Sequence, residues 1–201
     1  MADSHSDRIP PVPKYRFEEI AFENEDYRFS VFNSKATGFV ADYYSRNRDF
    51  HAEFSQTHGE DYFKYSVQKE YLIAETKDFK KGRMLPIFIT RKGNPKHIIG
   101  RISYFDIIYG GMKTAIVGYS LDKDEVKKGI MTEALKYTMR FLSEYYHLHR
   151  VEAYILPKNT RSINLIKRAG FIEEGIKHKY MHINGNWEDH LSFYYLFENN
   201  N

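Results

Sequence analysis

Two lysines and a glycine precede the most regular apolar pattern in this 201-residue chain. The segment reads Lys127-Lys128-Gly129, and the spacing of apolar residues after it predicts a helix over 130–146. The first N–H groups of a helix and its positive dipole end bind anions, and a glycine leaves room for a phosphate group. The segment therefore fits a pyrophosphate site, and it fits an ordinary loop with solvated lysines equally well.

A second set of polar side chains follows Pro157, at Asn159 and Ser162. Asparagine at the start of an apolar helical pattern predicts first of all an N-cap, with Ser162 in the first turn and Gly170 after the last turn. The spacing alone favours this structural role over a role in binding.

The composition excludes several classes of function. The chain has no cysteine, which rules out disulfides, thiolate catalysis and cysteine-based zinc sites. A net charge of +3 is too mild to indicate a nucleic-acid-binding face but suits an anionic cofactor. No apolar run approaches the ~20 residues that span a bilayer. We expect a soluble cytoplasmic protein with no membrane contact and no metal ion.

Two helices and a β-meander are predicted before the lysine-glycine segment. The helices cover 34–48, with Ser34 as N-cap, and 60–81. The apolar residues expected on the inner face of the second helix are Tyr62, Phe63, Val67, Tyr71, Ala74 and Phe79. Three strands joined by short turns follow, over 86–90, 97–107 and 114–121.

The remaining predicted elements alternate between helix and strand. The helix at 130–146 should have on its inner face Met131, Ala134, Leu135, Thr138, Leu142 and Tyr145. It is followed by a strand at 150–156, a helix at 159–169 and strands at 171–174, 177–183 and 187–196. Asn184-Gly185 predicts a hairpin turn. The order predicts an α+β fold with a mixed sheet and a βαβ unit, in one domain over 14–197 between flexible tails at 1–13 and 198–201.

Three segments together resemble the RimJ/RimL-like branch of the GNAT acetyltransferases. They are GYSLDKDEVKKGIMTEAL, LHRVEAYILPKNTRSINLIKRAGFIEEG and YMHINGNWEDH, and the specific match covers about 118–190. The resemblance implies the GNAT fold, in which two central strands splay and acetyl-CoA lies in the gap as co-substrate. It also implies acetyl transfer to a primary amine.

The resemblance assigns the cofactor-binding residues. A strand would hold the pantetheine through its backbone, at Val117, Gly118, Tyr119, Ser120 and Leu121. A loop and the start of a helix would bind the pyrophosphate, at Lys127, Lys128, Gly129, Ile130, Met131 and Thr132. Two later residues, Asn159 and Ser162, would also contact the cofactor. Two positions depart from the family pattern. Val126 replaces a polar residue of the phosphate loop, and Ile166 replaces a tyrosine that acts as general acid in many relatives.

Direct attack of an amine on a thioester requires a deprotonated amine, a polarised carbonyl and a protonated leaving thiolate. A backbone N–H within 117–120 could polarise the carbonyl, and the resemblance makes Ser162 the candidate proton donor to the thiolate. Met181 stands where some relatives have a glutamate base. The remaining candidates for the base are Glu152, Tyr180, His182 and His51. Each has a structural alternative: Glu152 could pair with Arg150, Tyr180 could be core, and the histidines could be surface residues.

The sequence is compatible with two classes of acceptor amine. The branch resembled suggests the α-amino group of a protein N-terminus, and it also contains enzymes that acetylate small amines such as antibiotics, polyamines and aminoacyl compounds. We expect the acceptor site to form from 46–62, the hairpin after Gly110 and the hairpin at 184–185, with His51, Tyr180 and His182 as candidate contacts. Two alternatives are a catalytically idle module that binds CoA or a protein, and an RNA-binding sheet. A homodimer is suggested by analogy alone.

Overall fold

An eight-stranded mixed sheet runs through residues 21–197, the part of the chain that the computed structural model describes. The predicted tails at 1–13 and 198–201 lie outside this part, as does 14–20. The strands are β1 (Ala21–Glu23), β2 (Tyr27–Ser30), β3 (Leu85–Arg91), β4 (Asn94–Ile108), β5 (Thr114–Leu121), β6 (Arg150–Ile155), β7 (Ile172–Ile183) and β8 (Asn186–Leu196). The α-helices are α1 (Thr37–Arg46), α2 (Arg48–Ala52), α3 (Tyr65–Lys80), α4 (Ile130–Tyr146) and α5 (Thr160–Arg168).

The strand order is β1-β2-β3-β4-β5-β6-β8-β7, and only the β5–β6 pair is parallel. That pair is joined through α4, which confirms the predicted βαβ unit and the α+β class. The meander β3-β4-β5 is confirmed, with β3 and β4 longer than predicted and β5 at its predicted bounds. The strands β1 and β2, which extend the sheet beyond β3, were not predicted.

Helices cover both faces of the sheet, as alternating side chains of β4 show. The hydroxyl of Tyr104 lies 2.6 Å from that of Thr138 on α4, and both are buried. Arg101, three residues earlier, points to the opposite face, where it bonds Tyr44 of α1 and Glu75 of α3. Helices α4 and α5 therefore pack on one face of the sheet, and helices α1 and α3 pack on the other. Among residues 21–197, no helix is long and apolar enough to span a bilayer.

The first predicted helix is divided, and its predicted cap is wrong. Asn33 caps the first turn, because its extended backbone lets its side chain accept a hydrogen bond from the Lys35 amide at 2.9 Å. A 3₁₀ turn at Ser34–Ala36 leads into α1, and a break at Asn47 separates α1 from α2. The aromatic stretch 46–58 has no regular apolar period and predicts an irregular segment, but 48–52 within it forms the helix α2.

The second predicted helix is also divided, at Lys64, whose backbone is extended. The break resets the helical phase, so the inner face of α3 is formed by Gln68, Leu72 and Phe79, while Tyr71 is 49% exposed. The prediction of Tyr71 and Ala74 as inner-face residues is therefore wrong. On α4 the predicted inner face is confirmed except at Tyr145, which is 41% exposed, whereas its neighbour Tyr146 is buried.

The β5 and β6 strands pair over only three residues each. Thr114–Ile116 aligns with Arg150–Glu152, after which the two strands separate. On its other side β5 stays paired with β4 as far as Leu121, opposite Gly100. A gap therefore opens in the middle of an otherwise continuous sheet.

A buried carboxylate fixes the end of β5 beside this gap. Asp122 is 2% exposed and accepts hydrogen bonds from Arg46 Nε at 2.8 Å, from Asn47 Nδ2 at 3.1 Å and from the Asp124 amide at 3.0 Å. Burial acts to raise the pKa of Asp122, but these three donors outweigh it and hold the pKa below its usual range. The carboxylate ties the α1–α2 junction to the loop that leads to α4.

We expect Asp122→Asn to lower the free energy of unfolding by about 2 kcal/mol, because the neutral amide loses charge-assisted bonds in a buried site. Asp42→Asn is the matched control, since Asp42 pairs with the same Arg46 but its side chain is 62% exposed. It should cost below about 0.5 kcal/mol. Urea unfolding at pH 7 measures both, and equal losses would contradict the assigned role of Asp122. Because its pKa is lowered on folding, the contribution is present above pH ~4 and is lost as the pH falls through the folded-state value.

Candidate functional site

A cleft of about 500 Å³ opens where β5 and β6 separate. Its walls come from β5, β6, α5 and the start of α4, and the segment around 50–58 lies across it. The predicted site residues that line it are Val117, Gly118, Tyr119, Ser120, Leu121, Lys127, Gly129, Ile130, Met131, Thr132, Asn159, Ser162, His51 and Tyr180. Three segments far apart in sequence therefore meet around one cleft.

Three predicted residues are not part of the cleft lining. The Lys128 ammonium is held by the Asp124 carbonyl at 2.8 Å and the Glu125 carboxylate at 2.9 Å. His182 is exposed and packs edge-on against Trp187, with ring centres 5.5 Å apart. Glu152 is turned to other partners, described below.

The backbone of β5 presents one free edge to the cleft. Beyond Ile116 the strand has no partner on its β6 side within the described chain, while its opposite edge stays paired with β4. Peptide N–H and C=O groups on such an edge require hydrogen-bond partners from water or from a ligand. A ligand that itself carries amide groups could bind there as an added strand does.

The start of α4 forms the anion-binding end of the cleft. Gly129 precedes the helix with φ +80°, and Lys127 is also left-handed with φ +64°. A Cβ on Gly129 would meet no atom within 4 Å, so the backbone angle rather than a lack of space favours glycine. Lys127, Gly129 and the first three residues of the 17-residue helix line the cleft, so the N-terminus of the helix borders it. Helix dipole and ammonium together suit a phosphate group.

Two hydroxyl groups meet across the cleft. The Asn159 side chain accepts from the Ser162 amide at 3.1 Å, which confirms its predicted role as N-cap of α5. The Ser162 hydroxyl lies 2.7 Å from the hydroxyl of Tyr119 on β5. Burial raises the pKa of Tyr119, so its phenol is protonated at neutral pH. The sequence had indicated the backbone of Tyr119, not its side chain.

His51 secures α2 over the end of β5. Its Nε2 donates to the Leu121 carbonyl at 2.8 Å, because a carbonyl oxygen can only accept. Burial lowers the pKa of His51, and it outweighs the opposing effects of this bond and of the Asp122 charge. The ring is therefore neutral at pH 7, with its proton on Nε2 and a free lone pair on Nδ1.

Glu152 forms the ion pair expected with Arg150, two residues earlier on the same strand. Arg150 Nε donates to its carboxylate at 2.6 Å, and the Tyr154 hydroxyl donates to the other oxygen. Partial burial acts to raise the pKa of Glu152, but these two donors prevail and hold it below its usual range. The carboxylate is thus ionised and already engaged.

Tyr180 lines the cleft rather than the core. Its ring packs against Tyr154 at 4.8 Å and edge-on against His190 at 5.5 Å, while the Lys177 ammonium lies 5.0 Å from its ring centre. Burial raises the pKa of Tyr180, and the charges of Asp106 and Glu152 add to the effect. Its phenol is a hydrogen-bond donor at neutral pH.

The cleft also contains residues that sequence reasoning missed. The aromatic and basic ones among them are Phe50, Phe54, His58, Phe105, Tyr154, Arg161, Arg168 and His190. A signal existed for the two arginines, because Arg161, Leu165 and Arg168 follow the i, i+4, i+7 spacing of one helix face. Nothing local indicated Phe105, which reaches the cleft from β4.

Two of the three segments predicted to form the acceptor site are in contact. The Asn184 amide donates to Thr57 Oγ1 at 2.8 Å, and its side chain donates to the Ala52 carbonyl at 3.2 Å. The hairpin after Gly110 contributes no residue to the cleft lining. Within residues 21–197, no group of three histidine or carboxylate side chains is placed to hold a metal ion.

Comparisons with known proteins agree with this geometry. The acetyltransferase (GNAT) domain family matches residues 40–172. The Bacillus subtilis protein named "Probable N-acetyltransferase YjcK" is 38% identical over 146 residues, which are 73% of this chain and 80% of that protein. The crystal structure of ribosomal-protein-S5-alanine acetyltransferase from Vibrio fischeri is 31% identical, with a TM-score of 0.84, covering 89% of this chain and 97% of that one.

A third comparison shows the fold alone. Mycobacterium smegmatis RimJ, solved in complex with CoA-disulfide, is 22% identical with a TM-score of 0.79, covering 85% of this chain and 81% of that one. The predicted resemblance and the predicted GNAT fold are both confirmed by these matches.

The tautomer and charge of His51 can be measured directly. In a ¹⁵N-¹H titration, the ring of His51 should titrate below pH ~6.5 and show its proton on Nε2 at neutral pH, because burial disfavours the charged ring. His51→Gln identifies the resonance by its loss. A neutral ring in the folded state means that stability falls as the pH drops below ~6.5. A pKa at or above 6.5 would contradict the half-buried, carbonyl-bonded placement.

Proposed function

Because this chain belongs to the GNAT family of acetyltransferases, we propose that it transfers the acetyl group of acetyl-CoA to the α-amino group of a protein N-terminus. The observation that carries the proposal is the early end of the β5–β6 pairing, which leaves a cleft bordered by a free strand edge and a helix N-terminus. A catalytically idle module would not need the paired hydroxyls that cross this cleft.

The cleft matches the chemistry of acetyl-CoA in two places. The pantetheine arm carries amide groups, and the free edge of β5 over 117–121 offers N–H and C=O groups to them. The pyrophosphate is anionic, and the N-terminus of α4 with Lys127 offers positive charge. Arg161 and Arg168 add two further cations to the lining. Lys128 contributes only through the loop, since Glu125 holds it.

We assign the paired hydroxyls of Ser162 and Tyr119 to stabilising the leaving thiolate. As the carbon–nitrogen bond forms and the carbon–sulfur bond breaks, negative charge develops on the sulfur. We assign to Ser162 Oγ the hydrogen bond that stabilises this charge until the proton released by the acceptor amine reaches the thiolate. Tyr119, 2.7 Å from that oxygen, holds the serine hydroxyl in place and stays protonated. Tyr119 thereby offers a phenol near the cleft although Ile166 stands where many relatives carry their tyrosine acid.

On the acceptor side, the structure favours different roles for the predicted residues. Glu152 is engaged by Arg150 and Tyr154, so we assign it charge balance rather than proton abstraction. Tyr180 is a protonated phenol that lines the cleft, and we assign to it a hydrogen bond to the incoming amine. The Vibrio fischeri relative, which is 31% identical, is named for acetylating an alanine of ribosomal protein S5, and this supports a protein as the acceptor.

Acetyl-CoA binding and transfer test the proposal together. Titration calorimetry should show acetyl-CoA binding that Lys127→Gln weakens about tenfold, because one phosphate contact is lost. Lys128→Gln is the matched control and should change the affinity by less than about threefold, since its ammonium is bound to Glu125. Mass spectrometry should then show one added acetyl group on the N-terminus of short peptides.

Absence of acetyl-CoA binding to the wild type would overturn the enzymatic proposal. Binding with acetylation of diamines or aminoglycosides, and none of peptides, would keep the reaction and replace the acceptor by a small amine.

The leaving-group assignment predicts a selective loss of rate. Ser162→Ala should lower kcat about 100-fold with little change in acetyl-CoA affinity, because the hydrogen bond to the leaving thiolate is lost while binding contacts remain. Tyr119→Phe should lower kcat less, since it removes only the hydrogen bond that positions Ser162. Ser120→Ala is the control: it also lines the cleft, but Tyr43 holds its hydroxyl at 2.9 Å. A wild-type kcat in Ser162→Ala would refute the assignment.

A further inference from the structure

His190 is a histidine of β8 that is buried beside the cleft. It is 3% exposed and lines the cleft next to Tyr180, with the two ring centres 5.5 Å apart. Its Nδ1 lies 3.1 Å from the carbonyl oxygen of Glu188. Because a carbonyl oxygen can only accept a hydrogen bond, the ring proton is on Nδ1, and in the neutral ring Nε2 carries the lone pair.

The Nε2 atom of His190 is open to the cleft. It has no hydrogen-bond partner within residues 21–197. It is also accessible, because the unpaired side-chain atoms that are fully buried in this part of the chain are Glu75 Oε2, Thr76 Oγ1 and Thr114 Oγ1. The lone pair therefore meets whatever molecule occupies the cleft.

Strand register places His190 on the sheet face that carries α1 and α3. One row of paired residues crosses the central strands: Phe105, Ile116, Glu152 and Tyr194. Phe105 lies four residues from Arg101 on β4 and so shares its face, the face of α1 and α3. His190 lies four residues from Tyr194 on β8, so the alternation of side chains brings it to the same face.

The hydroxyl pair assigned to the leaving group lies on the other face. Tyr119 pairs with Ile102, the neighbour of Arg101, so its side chain points toward α4 and α5, where its hydroxyl meets that of Ser162. A thioester held in the gap between β5 and β6 lies between these hydroxyls and His190. Its sulfur and the incoming amine can therefore each have a separate partner.

The charged neighbours of His190 leave its Nε2 free. Lys177, its partner in the β7–β8 ladder, has its ammonium 3.8 Å from the ring centre of Tyr154. Glu188, two residues away, lies 3.4 Å from the ammonium of Lys158. The other ionisable groups of the surrounding elements are Glu152 of β6, Tyr180 of β7, Asp106 of β4, and His51 and His58 of the segment across the cleft. No carboxylate in 21–197 binds the His190 ring.

We propose that His190 Nε2 is the general base that removes a proton from the ammonium group of the acceptor. The inference rests on the proposed function, and it names the group that prepares the amine for attack. An α-amino group has a pKa of about 7.7–8.0, so at pH 7 it is mostly protonated and lacks the lone pair that attack requires. A positioned neutral imidazole can accept such a proton.

Each proton in this sequence has a destination. An N–H bond of the ammonium breaks, and its proton goes to Nε2. The nitrogen lone pair then forms the carbon–nitrogen bond, and the carbon–sulfur bond breaks with its electron pair on the sulfur. The nitrogen gives its second proton to the thiolate, which yields the amide and free CoA, and the imidazolium releases its proton to water.

The four bases expected from the sequence fit this role less well. Glu152 is held in an ion pair, Tyr180 is a protonated phenol, and His182 is not part of the cleft lining. His51 lines the cleft, but its Nε2 is bonded to the Leu121 carbonyl at the end of β5. His51 is therefore the rival that the experiment has to exclude.

The first test replaces His190 by asparagine, whose amide nitrogen can keep the hydrogen bond that Nδ1 makes to the Glu188 carbonyl. The substrate is a hexapeptide with a free N-terminal alanine and an amidated C-terminus. We expect His190→Asn to lower kcat about 100-fold at pH 7, the loss typical of a missing general base, with acetyl-CoA affinity within about threefold of the wild type. His178→Asn is the matched control and should match the wild type, because His178 is exposed, bonds Asp189 and does not line the cleft.

A second substrate separates proton removal from a structural effect. The same peptide with an N-terminal aminooxyacetyl group has a nitrogen that is unprotonated at pH 7. His190→Asn should lower kcat on this peptide by less than about fivefold, because no ammonium has to be deprotonated. At about pH 9 the loss on the alanine peptide should likewise narrow to about tenfold or less, since most α-amino groups are then neutral. Equal losses on both peptides would mean that His190 only supports the structure and would overturn its role as base.

A measurement on the wild type keeps the proposal testable if His190→Asn fails to fold. A ¹⁵N-¹H correlation spectrum of the histidine rings, assigned through the backbone, should show the neutral His190 ring with its proton on Nδ1, the opposite tautomer to His51. A proton on Nε2 would overturn the proposal, because no lone pair would then face the cleft.

The outcomes distinguish this inference from the proposed function. Peptide acetylation with equal kcat values in His190→Asn and His178→Asn would overturn the role of His190 and leave the function intact. A loss confined to the alanine peptide in His51→Gln, and absent in His190→Asn, would assign the role to His51 instead. If only small amines are acetylated, the comparison is made on the best of them and its O-alkylhydroxylamine analogue, and equal losses again overturn the role. Turnover of no amine at all would overturn both.

Discussion

The architecture depends on one constraint, the three-residue limit of the β5–β6 pairing. A parallel pair that continued to Leu121 would satisfy the backbone of β5 and leave no cleft. Because β4 holds β5 along its other edge, the strand stays straight and ordered while that edge remains open. An unpaired edge in the interior of a sheet is stable only when water or a ligand supplies its hydrogen bonds. The fold and the cofactor site are thus one feature.

The surroundings of the cleft keep this open edge rigid. Asp122 connects the end of β5 with the α1–α2 junction, and His51 closes over the Leu121 carbonyl. On the far side of the cleft, Asn159 caps α5 and so fixes the position of Ser162 opposite Tyr119. The side chains with proposed binding or leaving-group roles are therefore positioned by hydrogen bonds within the fold, as preorganised sites require.

The sequence predicted the elements that local patterns specify and missed those set by distant partners. Helix α4 was predicted with its observed bounds, because a glycine start and a strong apolar period agree there. The division of 34–52 into three short elements depends on Asn47, whose side chain is buried against Asp122 and so responds to a contact 75 residues away. Lys127 lines the cleft while its neighbour Lys128 is held by Glu125, a difference that depends on the folded loop and that composition does not reveal.

The two halves of the cleft differ in how their side chains are presented. The cofactor half uses a regular strand and a helix start, features that periodicity and a glycine indicate in the sequence. The half assigned to the acceptor includes Tyr180, which follows the left-handed Lys179 at a bulge of the β7–β8 ladder. A bulge can change the direction of one side chain without altering the strand order around it. This division lets the acceptor contacts vary while the cofactor frame is kept, which explains why the reaction type is predictable from this sequence and the acceptor contacts are not.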